Sequence, residues 1–249
     1  MHPCLPDVVW LNTSPSLQHF DQELIAEVSS ANLVAYWEYQ QSLDEPSLLS
    51  VGLTLVHDYL KSFSRPVHLI GHSTGGLLGL LYARQYPKRV KSLTLLSVGV
   101  HPAIDWKSHY YVQQQLLPCS RQQLLRQMVR TCGIRSPILE RKAVGWLELD
   151  LMESFSLHSP IQQFQVPPGG VSVPLLICGS LTDDVIGALE LQKWKSFLKE
   201  GDRLCQFPQG GHFFHYFFPE KVKAEILQFW AAINQLPGQQ VQEKADCYN

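Results

Sequence analysis

The sequence predicts an α/β chain: a mostly parallel sheet with helices on both faces, interrupted by a helical insertion. Three observations carry this reading. Short apolar runs alternate three times with segments of helical spacing between Val8 and Val98, as strands buried on both faces require. The alternation stops at about residue 100, gives way to helix-spaced residues only, and resumes at Val173. One strand-to-helix junction reads Gly71-His72-Ser73-Thr74-Gly75-Gly76, a serine between glycines where a tight turn would hold its hydroxyl clear of the sheet.

In chain order, Val8-Val9-Trp10-Leu11 reads as a strand closed by Asn12-Thr13-Ser14-Pro15. Leu17, Phe20, Leu24, Ile25 and Val28 recur at helix spacing, with Ser16 as the expected N-cap. A second strand spans Asn32 to Tyr36 and leaves through polar residues toward Asp44-Glu45-Pro46; Ser47 then opens a helix with Leu49, Leu53, Val56 and Leu60 on one face. Val67-His68-Leu69-Ile70 is the strand feeding the serine turn, and Leu77 to Ala83 is the helix leaving it, stopped by Pro87. Val90 to Val98 forms the next strand. Within the insertion, Ser120-Arg121-Gln122-Gln123 is a capping-box pattern ahead of a helix ended by Gly133, and Ser136-Pro137 starts another through Trp146 and Leu147. Val173 to Gly179 is a strand, Leu189 to Leu198 a helix, Leu204 to Phe207 the last strand, and Val222 to Ile233 the last helix. The expected organisation is a core of residues 1–99 and 172–236, a helical lid over 100–171, and a polar, flexible tail over 237–249.

Composition narrows the function classes. Apolar residues make up 45% and charged residues 17%, so the chain has a core-building balance and not that of a disordered segment. With a net charge of −2 and no block of like charges, nucleic acid is not an expected partner; Lys88-Arg89-Val90-Lys91, the densest basic cluster, reads as a solvated helix end. No apolar run approaches the ~18 residues of a membrane span, and the N-terminus lacks a signal-like basic start with an apolar core. The six cysteines (Cys4, Cys119, Cys132, Cys178, Cys205 and Cys247) form no Cys-x-x-Cys pair. Reduced thiols and a cytoplasmic location are therefore expected, with no zinc site.

The Gly-x-Ser-x-Gly pattern is weak taken singly, because a glycine-rich connection explains it equally well. Context strengthens it. A serine attacks at neutral pH only when a base removes its proton, and that base needs an acid to hold its tautomer. Ser73, Asp183 and His212 each lie just past the carboxyl end of an expected strand, where the loops of an open parallel sheet meet. Thr74 follows as the first helical residue, with its N–H facing the place where an oxyanion would form.

The order Ser, Asp, His resembles the α/β-hydrolase superfamily, and so do four stretches in the right succession. They are the serine turn, Tyr82 to Leu93, Val173 to Gly179, and Gly211-His212-Phe213 with Pro219-Glu220-Lys221-Val222. The resemblance implies the α/β-hydrolase fold with about six strands, since no room remains before Val8 for the two edge strands with which the family begins. It implies Ser73 as nucleophile, His212 as general base and Asp183 as acid, with Asp184 an open alternative. His215 and His72 are expected to pack and not to titrate in catalysis. One oxyanion donor is Thr74 N–H; the second is expected from the loop after the first strand at Ser14, near Thr13, although Asn12-Thr13 stands where relatives often carry His-Gly. The Asn12 side-chain amide is a further candidate.

A serine nucleophile implies acyl transfer on a small-molecule carboxylic ester or related acyl compound. The aromatics Phe213, Phe214, Tyr216, Phe217 and Phe218, with Trp106, Tyr110, Tyr111 and Trp146 of the insertion, favour an apolar substrate unless they are core. No phosphate loop, nucleotide fingerprint or metal-ligand cluster is present in the sequence, so no cofactor and no metal are expected. Lyase, carbon–carbon hydrolase and acyltransferase chemistry on the same residues, or a receptor-like member without efficient turnover, stand as alternatives. The sequence leaves the oligomeric state open.

Overall fold

The computed structural model describes residues 5–40, 48–161 and 163–235. Its centre is a six-stranded sheet of order β2-β1-β3-β4-β5-β6, built from β1 (Val8–Asn12), β2 (Val34–Glu38), β3 (Val67–His72), β4 (Val90–Leu96), β5 (Leu175–Ser180) and β6 (Arg203–Phe207). All five strand pairings are parallel. The helices are α1 (Gln22–Ser29), α2 (Leu49–Leu60), α3 (Ser73–Gln85), α4 (Trp106–Leu116), α5 (Arg121–Thr131), α6 (Pro137–Glu153), α7 (Ala188–Lys193), α8 (Phe214–Phe217) and α9 (Pro219–Asn234).

Strand residues alternate between two apolar layers because successive side chains point to opposite faces. Val9, Leu11, Leu69 and Ile177 pack with Val56 of α2 and Leu80 of α3. Val8, Trp10, Ile70 and Cys178 pack with Leu24 of α1 and Phe229 of α9 on the other side. A third cluster gathers the inner faces of α4, α5 and α6 with Leu17, Phe20 and Phe213. Trp106, Tyr110, Phe213 and Phe214 are thus core side chains.

The element boundaries shift for local reasons. Ser16 is not an N-cap: a 3-10 turn, Pro15–Phe20, precedes α1, Asp21 occupies the cap position, and Ser16 Oγ donates to Asp150 Oδ1 instead (3.0 Å). The second strand sits two residues later than expected, since pairing with β1 selects Val34–Glu38. β5 begins at Leu175 and not Val173, because Pro174 has no N–H to give the ladder. The helix expected over Leu189 to Leu198 is α7 followed by a 3-10 turn, Trp194–Ser196. The expected cap Ser47, Asp44-Glu45-Pro46, Cys4, Cys247 and the 237–249 tail lie outside the described residues.

β1 is followed outward by β2, and the chain then returns to place β3 on the other side of β1. Ligands bind at such a reversal in open parallel sheets. The loop Thr13–Ser14 after β1 and the turn at Ser73 after β3 flank it.

Candidate active site

Two approaches of backbone to backbone dictate the glycines around Ser73. A Cβ on Gly71 would lie 2.6 Å from the backbone of Gly75, and one on Gly75 would run into the carbonyl oxygen of Leu11. The turn between them forces Ser73 to φ = +50°, in the left-handed region that a side chain disfavours. That conformation sets its hydroxyl at the N-terminus of α3, where the first N–H groups have no intrahelical acceptor.

The structure brings the three residues named from sequence together. Ser73 Oγ lies 3.3 Å from His212 Nε2, and His212 Nδ1 lies 3.0 Å from Asp183 Oδ2. With a carboxylate at Nδ1, that nitrogen carries the proton and Nε2 is free to accept one. The other oxygen of Asp183 accepts the N–H groups of Val185 (2.8 Å) and Ile186 (3.0 Å), which hold the carboxylate in register. Asp184 makes no contact of this kind; its side chain faces a cleft. All three are buried, His212 at 1% exposure and Ser73 at 7%.

The carbonyl of His212 is gripped from two sides. His72 Nε2 donates to it at 2.9 Å and Ser97 Oγ at 2.8 Å. Burial holds the pKa of His72 well below the ordinary imidazole value, with the neighbouring His215 and His212 adding to the effect, so His72 is neutral and donates through Nε2. Ser97 is the second non-glycine residue with positive φ, +51°, and is fully buried.

Behind His72, His215 Nε2 donates to Asp21 Oδ1 (2.9 Å), and Trp10 Nε1 donates to Asp21 Oδ2 (3.2 Å). Asp21, His72 and His215 bring ligand-type atoms within 4.8 Å of one another. Both oxygens of Asp21 and Nε2 of His72 are nevertheless already engaged, so the arrangement is a hydrogen-bonded support for the histidine loop and not an open metal centre. His215 has its ring turned to Asp21 and away from Ser73.

The oxyanion candidates come out differently. Thr74 stands next to Ser73 in the first turn of α3, and its Oγ1 donates to Asp105 Oδ2 (2.8 Å). Ser14 does not offer its N–H to the site, because that group donates to Asn12 Oδ1 at 3.0 Å. The Asn12 amide turns the other way, to Tyr36 Oη (2.5 Å). Thr13, 3% exposed, is the remaining member of that loop beside Ser73.

Two small cavities of about 10 Å³ each flank the Ser73–His212–Asp183 cluster, with Trp106 in the wall of both. Each is about the size of one water molecule. One contains Thr13, Ser14 and Ser73; the other is walled by Met128, Leu147, Val185, Phe213 and His212. Burial lowers the pKa of His109, beside the second cavity, so this ring is neutral there.

The insertion is fastened down at Asp150, which is fully buried and accepts from Trp106 Nε1 (3.0 Å), Lys107 Nζ (3.3 Å) and Ser16 Oγ (3.0 Å). Sequence reading overlooked Asp105, Ser97 and Asp21. Asp105 carried a usable signal, since Asp105-x-x-Ser108 is a capping pattern and both halves form. Ser97, a polar residue at the carboxyl end of a strand, carried a fainter one.

A family model described as alpha/beta hydrolase fold matches residues 63–128. An uncharacterized protein of Synechocystis sp. is 44% identical over 227 residues, covering 91% of this chain and 90% of that protein. An uncharacterized protein of Nostoc sp. is 42% identical over 225 residues, 90% of each. Among solved structures, naproxen esterase (carboxylesterase NP) from Bacillus subtilis superposes with a TM-score of 0.67 at 18% identity, over 92% of this chain and 84% of that one. A serine hydrolase involved in carbazole degradation (the CarC enzyme) gives 0.67 at 14% identity, over 90% of both. At these identities the two structures speak for the fold alone.

Proposed function

This chain belongs to the alpha/beta hydrolase fold superfamily, and we propose that within it the protein is a serine hydrolase acting on a carboxylic ester or related acyl compound. The observation that carries the proposal is the Ser73–His212–Asp183 chain of contacts, 3.3 Å and 3.0 Å, at a serine held at φ = +50°.

Ser73 Oγ attacks the acyl carbon while His212 Nε2 takes its proton, and Asp183 stabilises the imidazolium that results. The carbonyl oxygen becomes an oxyanion received by the N–H of Thr74 and, in place of Ser14, that of Thr13. The bond from the acyl carbon to the leaving group then breaks, His212 returns the proton to the departing alcohol, and an acyl-enzyme remains. Water, deprotonated by His212, attacks that ester; the acid leaves and Ser73 regains its proton. The 3.3 Å separation of Ser73 and His212 suits a resting site, which tightens when substrate binds.

The insertion acts as a lid in this scheme, because cavities of about 10 Å³ hold no ester until Trp106 and its neighbours move. The apolar wall of Met128, Leu147, Val185 and Phe213 suits an apolar acyl portion.

A fluorophosphonate probe is expected to label Ser73, and wild-type protein to hydrolyse p-nitrophenyl esters. Ser73→Ala and His212→Ala each remove this activity by about 10⁴-fold or more, whereas His215→Ala keeps most of it. Labelling without ester turnover would redirect the proposal to a lyase or carbon–carbon hydrolase. Neither labelling nor turnover would sink it in favour of a receptor-like role, and a silent His215→Ala beside an active His212→Ala would overturn the choice of base.

A further inference from the structure

A cleft of about 1210 Å³ opens beside the histidine loop, and Ser73 is not among the residues that line it. One wall is the polar face of α5: Gln123, Arg126, Gln127 and Arg130 follow at the i, i+3, i+4, i+7 spacing that puts them on one side of a helix. Leu124, Leu125, Met128 and Val129 occupy the opposite side and are buried in the insertion's core. Arg135 adds a third guanidinium, and Gln209 and Phe217 come from the histidine loop across the cleft.

The charge here runs against that of the whole chain. The net charge is −2, yet no Asp or Glu occurs from residue 106 to 139, a stretch that holds Lys107, Arg121, Arg126, Arg130 and Arg135. Glu140 satisfies Arg130 through two contacts of 3.0 Å. Among the described residues, Arg126 and Arg135 have no ion pair or side-chain hydrogen bond. The Asp184 carboxylate lies in the same wall and Glu140 acts on Arg126 through space, yet neither hydrogen-bonds Arg126 or Arg135; such unbonded guanidinium forks suit a carboxylate or phosphate.

The cleft also shares part of its wall with a cavity beside His212. Thr131 and Asp184 line both it and the small apolar cavity that reaches His212. Asp184 at that neck repels an anion, so a charged group is held outside at the arginines while an uncharged chain passes inward.

We propose that this cleft binds the anionic end of the acyl substrate, a carboxylate or a phosphate, while the apolar acyl segment reaches Ser73 through the Thr131–Asp184 neck. The inference rests on the hydrolase reading and narrows it to amphiphilic acyl compounds: apolar near the reacting carbon, anionic at the far end. The bond cleaved is the same C–O or C–S bond, with water as co-reactant.

The test uses matched substrates and exposed side chains. Mono-p-nitrophenyl esters of C4 to C10 dicarboxylic acids are compared with the corresponding uncharged acyl esters, and a phosphate-bearing acyl thioester with its neutral thiol analogue. At low salt, kcat/KM is expected to favour at least one anionic member by about tenfold, and R126A/R135A to erase that advantage through KM. The uncharged esters should stay within about twofold, as should every substrate with Arg121→Ala, a cation of the same helix outside the cleft. The carboxylate and phosphate arms tell which anion is read.

Calorimetry on Ser73→Ala gives a readout without turnover: anionic esters bind it more tightly than neutral ones, and R126A/R135A in that background removes the difference. Equal loss for charged and uncharged substrates, no loss for either, or no anion preference in binding overturns the inference while active neutral esters leave the hydrolase reading standing. Arginine-dependent binding with no turnover of any ester or thioester does the reverse.

Discussion

Among the described residues Ser73 and Ser97 are the two non-glycine residues with positive φ, +50° and +51°, and both contact His212. A side chain in that region costs about 1–3 kcal/mol, so each has to be held by what surrounds it. For Ser73 the holding element is the packing of Gly71 against Gly75. For Ser97 it is the pair of bonds from its N–H to Cys178 O (2.9 Å) and from its hydroxyl to His212 O (2.8 Å). On the proposed mechanism Ser97 is therefore a positioning residue for His212. Ser97→Ala should lower kcat about fivefold with little change in KM, the worth of one neutral hydrogen bond. Ser97→Gly should be equally slow yet more stable than the alanine variant, because glycine tolerates the backbone conformation. Steady-state kinetics and denaturant unfolding on the two variants separate hydroxyl from strain; full kcat in both would show that the contact does not position His212.

At the scale of elements, the insertion is tied to the core by buried polar groups as well as by its apolar cluster. Asp105 caps α4 and also accepts the Thr74 hydroxyl, linking the start of that helix to the residue after Ser73. Asp150 of α6 collects Trp106, Lys107 and Ser16, and the ammonium of Lys107 spends its other donors on the carbonyls of Ser154 and Phe155, both at 3.1 Å. Lys107 is 1% exposed. Removing its partner strands a charge out of water, so Asp150→Ala should cost about 3–5 kcal/mol in denaturant unfolding. The double variant Lys107→Met/Asp150→Leu should recover most of that loss, since no buried charge remains. If the single variant costs under about 1 kcal/mol, the ion pair is not what holds α4 to α6. By contrast the Ser120 capping box of α5 is exposed and local. Its pattern was readable in four consecutive residues, whereas the Lys107–Asp150 pair joins residues on two helices and leaves no such trace.

For the molecule as a whole, stability is coupled to pH through His68, which lies within the central strand β3. Its ring stacks on Trp230 at 4.2 Å and its Nδ1 meets Ser92 Oγ at 2.6 Å. Burial, helped by the positive charge of Lys91, pushes its pKa down to about 3. Below the ordinary imidazole value of about 6.5 the unfolded chain binds a proton that the folded chain refuses, so stability falls as pH drops from there toward 3. Between pH 7.5 and 5 this one group removes about 2 kcal/mol. Urea unfolding at the two pH values should show that loss in wild type, and His68→Gln should show about 2 kcal/mol less of it. Identical pH dependence in both proteins would mean that the ring is not kept neutral by the sheet.

The alternation of apolar runs was enough to read the parallel sheet and the insertion, because strands buried on both faces and amphipathic helices imprint their own periods on neighbouring residues. The serine turn was legible for a related reason: a backbone that must pass within contact of Leu11 and Gly75 leaves glycine as its only option. Contacts between distant segments left no such imprint. Pairing with β1 moved the second strand to Val34. Even locally, Asn12 Oδ1 claimed the Ser14 N–H that the chain order alone had offered to an oxyanion. The choice of Asp183 over Asp184 as the partner of His212, and the grip of Ser97 and His72 on the histidine loop, were likewise decided in three dimensions. Each depends on a side chain's direction relative to residues 29 to 140 positions away, and a linear sequence carries local periodicity but not that direction.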